Sequence, residues 1–200
     1  RVGDIKYVDR NGDGVISYEQ DRGYVGAAAY PKFVGGLSFS GDWKGIDLSF
    51  LFQAGLGRDV ALTGVYSGGI MDNTQMTKPF YHGGNSPKYL VENSWREDNT
   101  NAEFPRLSIV QASSNNAYSS TFWYRSGDYL RLKNLQIGYT FPQKWMSRIG
   151  IDRLRIYFEG QNLWTVSELT KFNIDPEQPG VSNGYYPQQR IFSFGVNLAF

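Results

Sequence analysis

The segment RIFSFGVNLAF, residues 190–200, decides how the rest of the chain is read. Phe192, Phe194, Val196, Leu198 and Phe200 share one parity, and Ser193, Gly195, Asn197 and Ala199 share the other. Successive side chains of a strand point to opposite faces, so the pattern predicts a strand with one apolar face and one small or polar face. Working back through the chain, the same test finds four more strands. In 37–43, Leu37, Phe39 and Trp43 alternate with Ser38, Ser40 and Asp42. In 45–56, Ile46, Leu48, Phe50, Phe52, Ala54 and Leu56 alternate with Asp47, Ser49, Leu51, Gln53 and Gly55. In 153–163, Leu154, Ile156 and Phe158 alternate with Arg155, Tyr157, Glu159 and Gln161. The strand at 128–141 changes phase, with Leu130 and Leu132 on one parity and Leu135, Ile137, Tyr139 and Phe141 on the other. A β-bulge near Lys133 and Asn134 restores a single apolar face.

These strands are long. Eleven residues at roughly 3.3 Å each reach about 36 Å, and a tilt of about 45° projects that to about 25 Å, the height of the apolar band of an outer-membrane barrel. Strands of soluble proteins are commonly about half as long. The connections sort by length. Trp43-Lys44-Gly45-Ile46 is a tight turn, and 141–152 is a modest one carrying Pro142 and Gly150, whereas about 57–127 and about 164–189 are long. Short and long connections alternate, which puts the long ones at one end of the sheet, as in barrels with short periplasmic turns and long extracellular loops. Five strands do not close a membrane barrel, whose smallest form has about eight. The chain therefore reads as a portion of a larger barrel. No signal peptide is visible after Arg1, and the chain reads as starting within a longer protein. The expected organisation is an outer segment at 1–32, a hairpin at 33–56, a long loop at 57–127, a hairpin at 128–163, a loop at 164–189 and a last strand at 190–200.

Composition agrees. The 200 residues carry 20 Lys and Arg against 19 Asp and Glu, a balance that argues against an electrostatically driven nucleic-acid binder. Thirteen Phe, 14 Tyr and five Trp are too many for a disordered chain. A mean hydropathy of −0.44 and the lack of a long apolar run exclude a helical membrane span but not a barrel, whose alternating strands average to a polar value. Without Cys there is no disulfide framework, and the single His82 precludes a His-rich zinc cluster.

One motif carries metal chemistry. Asp9-Arg10-Asn11-Gly12-Asp13-Gly14-Val15 has the opening spacing of an EF-hand loop, with oxygens at positions 1, 3 and 5, the Val15 carbonyl at position 7 and Gly14 at the sharp turn of position 6. Position 12 is Gln20 instead of an acid, and Asp21 is the substitute ligand if the loop bulges by one residue. Ca2+ is the expected ion, held by Asp9, Asn11, Asp13, Val15 and Asp21, and the alternative is a metal-free Asn-Gly/Asp-Gly turn. No organic cofactor is expected. No catalytic constellation emerges either: the pairs Glu97/Asp98 and Asp175/Glu177 sit in polar turns, His82 has no evident partner, and the chain is not expected to be an enzyme.

Aromatics fall into two settings. Trp43, Phe141, Trp145, Phe192 and Phe200 at strand ends suit an interfacial girdle. Trp95, Trp123, Tyr124, Tyr185 and Tyr186 in the long loops are candidates for stacking on substrate, against the alternative that they pack the loops. Arg131, Lys133, Arg155, Glu159 and Gln161 occupy the polar face, which in a barrel is the lumen.

The order of the segments resembles the C-terminal barrel part of SusC/RagA-type TonB-dependent outer-membrane transporters. The residues that carry it are Gly3-Asp4-Ile5-Lys6-Tyr7 leading into 9–14, Tyr30-Pro31-Lys32-Phe33, Phe50-Leu51-Phe52-Gln53, Pro105-Arg106-Leu107, Ser126–Asn134, Ile137–Pro142, Gly160-Gln161-Asn162-Leu163 and Tyr186-Pro187-Gln188. The resemblance runs from end to end. It implies an all-β fold, the C-terminal antiparallel strands of a 22-stranded transmembrane barrel with long extracellular loops, in the outer membrane of a Gram-negative cell. It also implies import of glycans or peptides, a SusD-like surface lipoprotein as partner, TonB acting through a plug that is missing from this chain, outer-membrane lipid around the strands, and Phe200 as the signal read by the barrel assembly machinery. The competing readings are a secreted soluble β-sandwich that binds calcium and carbohydrate, and an outer-membrane barrel that does not transport.

Overall fold

The computed structural model describes residues 1–26, 28–62, 87–107, 116, 118, 120–178 and 188–200. They divide between two compact units, one holding the described residues within 1–28 and 59–125, the other those within 29–58, 126–178 and 188–200.

The second unit is built on one antiparallel sheet. Its strands are β1 (Phe33–Trp43), β2 (Ile46–Leu56), β5 (Tyr129–Thr140), β6 (Arg153–Ser167) and β7 (Ile191–Ala199), in the spatial order β1-β2-β5-β6-β7. Each strand thus lies beside its predecessor in the sheet, with β3 (Asp59–Ala61), the short helix α1 (Lys88–Glu92) and β4 (Tyr124–Ser126) inserted in the chain between β2 and β5. The helix α2 (Gln143–Met146) follows Pro142, whose fixed φ suits the start of a helix, and a left-handed Gly150 ends the turn that leads to β6.

The register places the expected residues face by face. Ile46, Leu48, Phe50, Phe52 and Ala54 stand opposite Tyr139, Ile137, Leu135, Leu132 and Leu130, while Asp47, Ser49, Leu51, Gln53 and Gly55 stand opposite Gly138, Gln136, Asn134, Arg131 and Tyr129. The register shifts where the phase change predicts it, with Lys133 the extra residue between Leu132 and Asn134.

Two boundaries differ from the sequence reading. β1 begins at Phe33, because Gly35 and Gly36 interrupt an alternation that Phe33 in fact starts. β6 continues to Ser167, not 163, because Asn162 on the apolar parity and Leu163 on the polar one break the pattern at a second irregularity, where Asn162 has φ +51°. The region 57–127, expected as a loop, contains β3, α1 and β4 and its own buried residues Val60, Leu62, Leu90, Phe104 and Trp123. The need of long loops for local cores accounts for this.

Candidate functional site

Among the described residues, the sheet of the second unit has an exposed apolar face. Leu37, Phe39, Trp43, Ile46, Ile137, Ile156, Trp164, Val166, Phe192, Phe194, Val196 and Leu198 all rank as exposed, with Phe194 at 83%. None of the fully buried apolar side chains comes from this face. Aromatic pairs run across it: Phe39 stacks on Phe50 with centroids 5.3 Å apart, and Phe158 lies 5.2 Å from Phe194. Such cross-strand pairs stabilise a sheet. A sandwich requires a second sheet about 10 Å above the first. Among the described residues the other sheet has two strands of three residues, β3 and β4. Of the aromatics expected at strand ends, Trp43 (67% exposed) and Trp145 (50%) stand at the short-turn end, with Lys44 Nζ 4.4 Å from the Trp43 ring centroid, whereas Phe192 stands opposite Gly160 at the other end of β7. Thr140 N donates to Gly45 O at 2.7 Å, which sets the two short connections side by side.

The opposite face is polar and its side chains are paired. Near the short turns, Arg155 Nε donates to Asp47 Oδ1 at 2.8 Å while Nη2 bonds Oδ2, a bidentate pair that crosses β5 above Gly138. A Cβ at 138 would lie 2.5 Å from Asp47 Oδ1 and 2.6 Å from Arg155 Nη2, so a side chain there would displace the pair. The same device recurs: the Tyr157 ring lies over Gly195, and the Tyr129 ring over Gly55. Gln161 Nε2 donates to Glu159 Oε1 at 3.2 Å.

At the other end a denser cluster forms. Arg131, 2% exposed, donates from Nε to Thr165 Oγ1 (2.9 Å), from Nη1 to Glu177 Oε2 (2.6 Å) and from Nη2 to Asp175 Oδ2 (2.8 Å). Lys133, displaced by its bulge, reaches Glu177 Oε2 at 2.9 Å. Gln53 donates to the Tyr129 hydroxyl at 3.1 Å, and that hydroxyl donates to Glu177 Oε1 at 3.4 Å. Sequence parity placed Arg131, Lys133, Arg155, Glu159 and Gln161 on this face. It gave no sign that Asp175 and Glu177, more than 40 residues on, are the counter-ions.

In the first unit two of the motif stretches meet. Arg106 Nε lies 2.7 Å from Asp4 Oδ1, and Arg106 N donates to Gly3 O at 2.8 Å. Asn116, 6% exposed, accepts from Ile5 N at Oδ1 (2.8 Å) and donates to Asp4 Oδ1 (2.9 Å). Burial pushes the phenol of neighbouring Tyr7 up to about 12. Asp9 accepts from Gly12 N at Oδ1 (2.7 Å) and from Gly14 N at Oδ2 (2.8 Å), Asn11 Oδ1 accepts from Asp13 N (3.1 Å), and Asp13 Oδ1 accepts from Val15 N (2.8 Å). Gly14 takes φ +80°, as the sharp turn needs. Asp21 closes the loop: its carboxylate accepts from Ser17 N (2.6 Å) and Arg10 N (2.7 Å), bonds that hold it below the ordinary carboxylate range. Among the described residues no three His, Cys, Asp or Glu side chains converge as a metal-binding group.

The loop aromatics divide. Trp123 is 2% exposed, lies 6.1 Å from Phe104 in a stacked pair, and donates from Nε1 to Asn116 O at 2.9 Å. Its ring packs the unit. Trp95 and Tyr124 are half-buried, and the Trp95 ring covers Gly3, where a Cβ would lie 2.5 Å away. Tyr185 and Tyr186 lie outside the described residues, as does His82. Phe200 is 84% exposed just beyond β7.

No family model matches the chain. Among curated proteins it is similar to TonB-dependent receptor P26 of Formosa agariphila, 28% identical over 215 residues that cover the whole chain and 20% of the receptor. It is 29% identical over 207 residues to TonB-dependent receptor P3 of the same organism, covering 97% of the chain and 19% of the receptor. It is 26% identical over 197 residues to TonB-dependent receptor SusC of Bacteroides thetaiotaomicron, covering 97% and 17%. Among solved structures it resembles the RagAB peptide transporter, with a TM-score of 0.56 and 25% identity over 88% of this chain and 18% of that one. The RagAB peptide importer in its open-open state gives a TM-score of 0.58 at 23% identity, a likeness of fold that covers 97% of this chain. The chain spans about a fifth of the length of the curated relatives it matches.

Proposed function

We propose that the chain is a barrel portion of a SusC/RagA-type TonB-dependent transporter, and that the whole protein imports glycans or peptides across the outer membrane. The observation that supports this best is the sheet itself, with an apolar face exposed along its length among the described residues and ion pairs at both ends of its polar face. A soluble protein rarely leaves so large a contiguous apolar surface. In a bilayer that face meets lipid and the paired face lines the lumen. In this reading a SusD-like lipoprotein covers the outer side, TonB supplies energy through a plug outside these 200 residues, and Phe200 is the residue by which the assembly machinery engages the last strand. The test is to purify the full-length protein from outer membranes in detergent and measure calorimetric binding of an oligosaccharide pool and a peptide pool. Co-purification of a surface lipoprotein and saturable heat with one pool are expected. Heat from neither pool, with the lipoprotein bound, would remove the import reading while leaving the barrel.

Calcium belongs to the same proposal. The oxygens of Asp9, Asn11 and Asp13 and the Val15 carbonyl are a hard donor set at suitable spacing. Asp21 is better spent bracing the loop on Arg10 and Ser17 than as a ligand. Terbium luminescence sensitised by nearby Tyr residues, displaced by calcium and lost in Asp13→Ala, is the expected result. Equal luminescence in Asp13→Ala would rule the loop out.

A further inference from the structure

We propose that residues 168–178 are a fixed lip of the channel wall, latched by Arg131, and not part of the moving outer apparatus; this rests on the reading of the polar face as the lumen. Long outer loops of a transporter are the natural candidates for mobile lids, yet this one is built to stay. Its first turn is a 3-10 segment, Glu168–Phe172, capped by Ser167 Oγ, which accepts from Leu169 N. Leu169, Phe172 and Ile174 are 0, 2 and 4% exposed, the profile of core residues. Asn173 turns the chain at φ +57°, and Asp175 Oδ1 accepts from Glu177 N at 2.8 Å, so the turn presents both carboxylates in one direction.

Those carboxylates meet the wall. The guanidinium of Arg131 holds one with each terminal nitrogen and keeps its Nε on Thr165 of the neighbouring strand, which fixes its plane. Lysine has no such fork and would lose this geometry. Two further ties act away from the cluster: Arg58 Nη1 donates to Pro176 O at 3.1 Å, and Ser126 N donates to Glu168 Oε2 at 3.0 Å. Two cations, Arg131 and Lys133, face two anions, so the lip is nearly neutral where it meets the wall. Arg131 is the buried member of the set, and leaving its charge unpaired costs more than the pair gains.

Hydrogen exchange by mass spectrometry on the full-length transporter in detergent tests the latch. Peptides covering 168–178 are expected to exchange as slowly as β6. Arg131→Met is expected to speed them about tenfold or more while β6 keeps its protection, the mark of local and not global opening. Asp175→Asn combined with Glu177→Gln alters no residue of the wall strand, keeps an amide oxygen as acceptor at each position and should do the same, and heat-modifiable migration shows whether each variant has assembled. Fast exchange of 168–178 in the unaltered protein, or unchanged exchange in both variants, would overturn the latch. Heat-modifiable migration on an unboiled gel separates this from the barrel reading: the latch fails with the barrel present, whereas a missing barrel removes both.

Discussion

At the scale of single residues, the wall depends on where side chains are missing. Gly138 is the clearest case, because the Arg155–Asp47 pair occupies the volume that a side chain would fill. Gly138→Leu should break the bidentate contact and push both charged groups toward water, at a cost of about 1–3 kcal/mol typical of overpacking. Chemical denaturation of the full-length barrel in detergent checks it, and Gly138→Ala should fall between the two. From sequence, Gly138 read only as a small residue on the polar parity. What rides over it depends on a diagonal between strands 108 residues apart, which periodicity does not carry. Asp21 offers a pH test. Its bonds to Ser17 N and Arg10 N depress its pKa in the folded loop. A depressed carboxylate contributes stability that is present above its unfolded pKa, about 3.9, and is lost as pH falls through the lower folded value. Proteolysis within 9–21 by an acid-active protease should therefore stay slow at pH 5 and rise below about pH 4, and Asp21→Asn should be cut readily at both.

At the scale of elements, the bulges do most to shape the face. The Lys133 bulge was legible, because a parity change in an apolar series has few other causes. Lys133 keeps the parity of Arg131 and reaches Glu177 from beside it. The irregularity at Asn162 was not legible, since one polar residue on the apolar parity looks like the end of a strand. Yet Asn162 adopts φ +51° and donates from Nδ2 to Gln188 Oε1 (3.2 Å) and Gln189 O (3.1 Å). Two of the motif stretches thus meet, and the start of β7 is tied to β6. Asn162→Ala loses both bonds and keeps a left-handed backbone that alanine tolerates poorly, for a combined loss of about 1–3 kcal/mol. Exchange at the first amides of β7 should rise before any other part of the strand. Uniform exchange along β7 would mean the tie does not set its start.

At the scale of the whole molecule, the membrane reading and its soluble rival differ on one measurable point, the cost of charge on the uncovered face. Phe194 is 83% exposed near the middle of β7, and Ser193 is its neighbour on the wet face. On a water-facing surface of a soluble protein, an exposed side chain changes stability by about 0.5 kcal/mol or less when replaced. In a bilayer the same position is near the midplane, where an arginine costs about 2–4 kcal/mol, while a lumen position is nearly neutral. Phe194→Arg in the full-length protein should therefore lower the midpoint of denaturation in lipid vesicles markedly, and Ser193→Arg should leave it within error. The contrast, more than either value, carries the argument, because it reverses the rule that an exposed residue is a tolerant one. That reversal follows from a sequence pattern alone, since alternation fixes which parity is apolar, but only the register shows that five strands align those parities into one continuous face. Equal and small effects at both positions would mean that water, not lipid, covers Phe194.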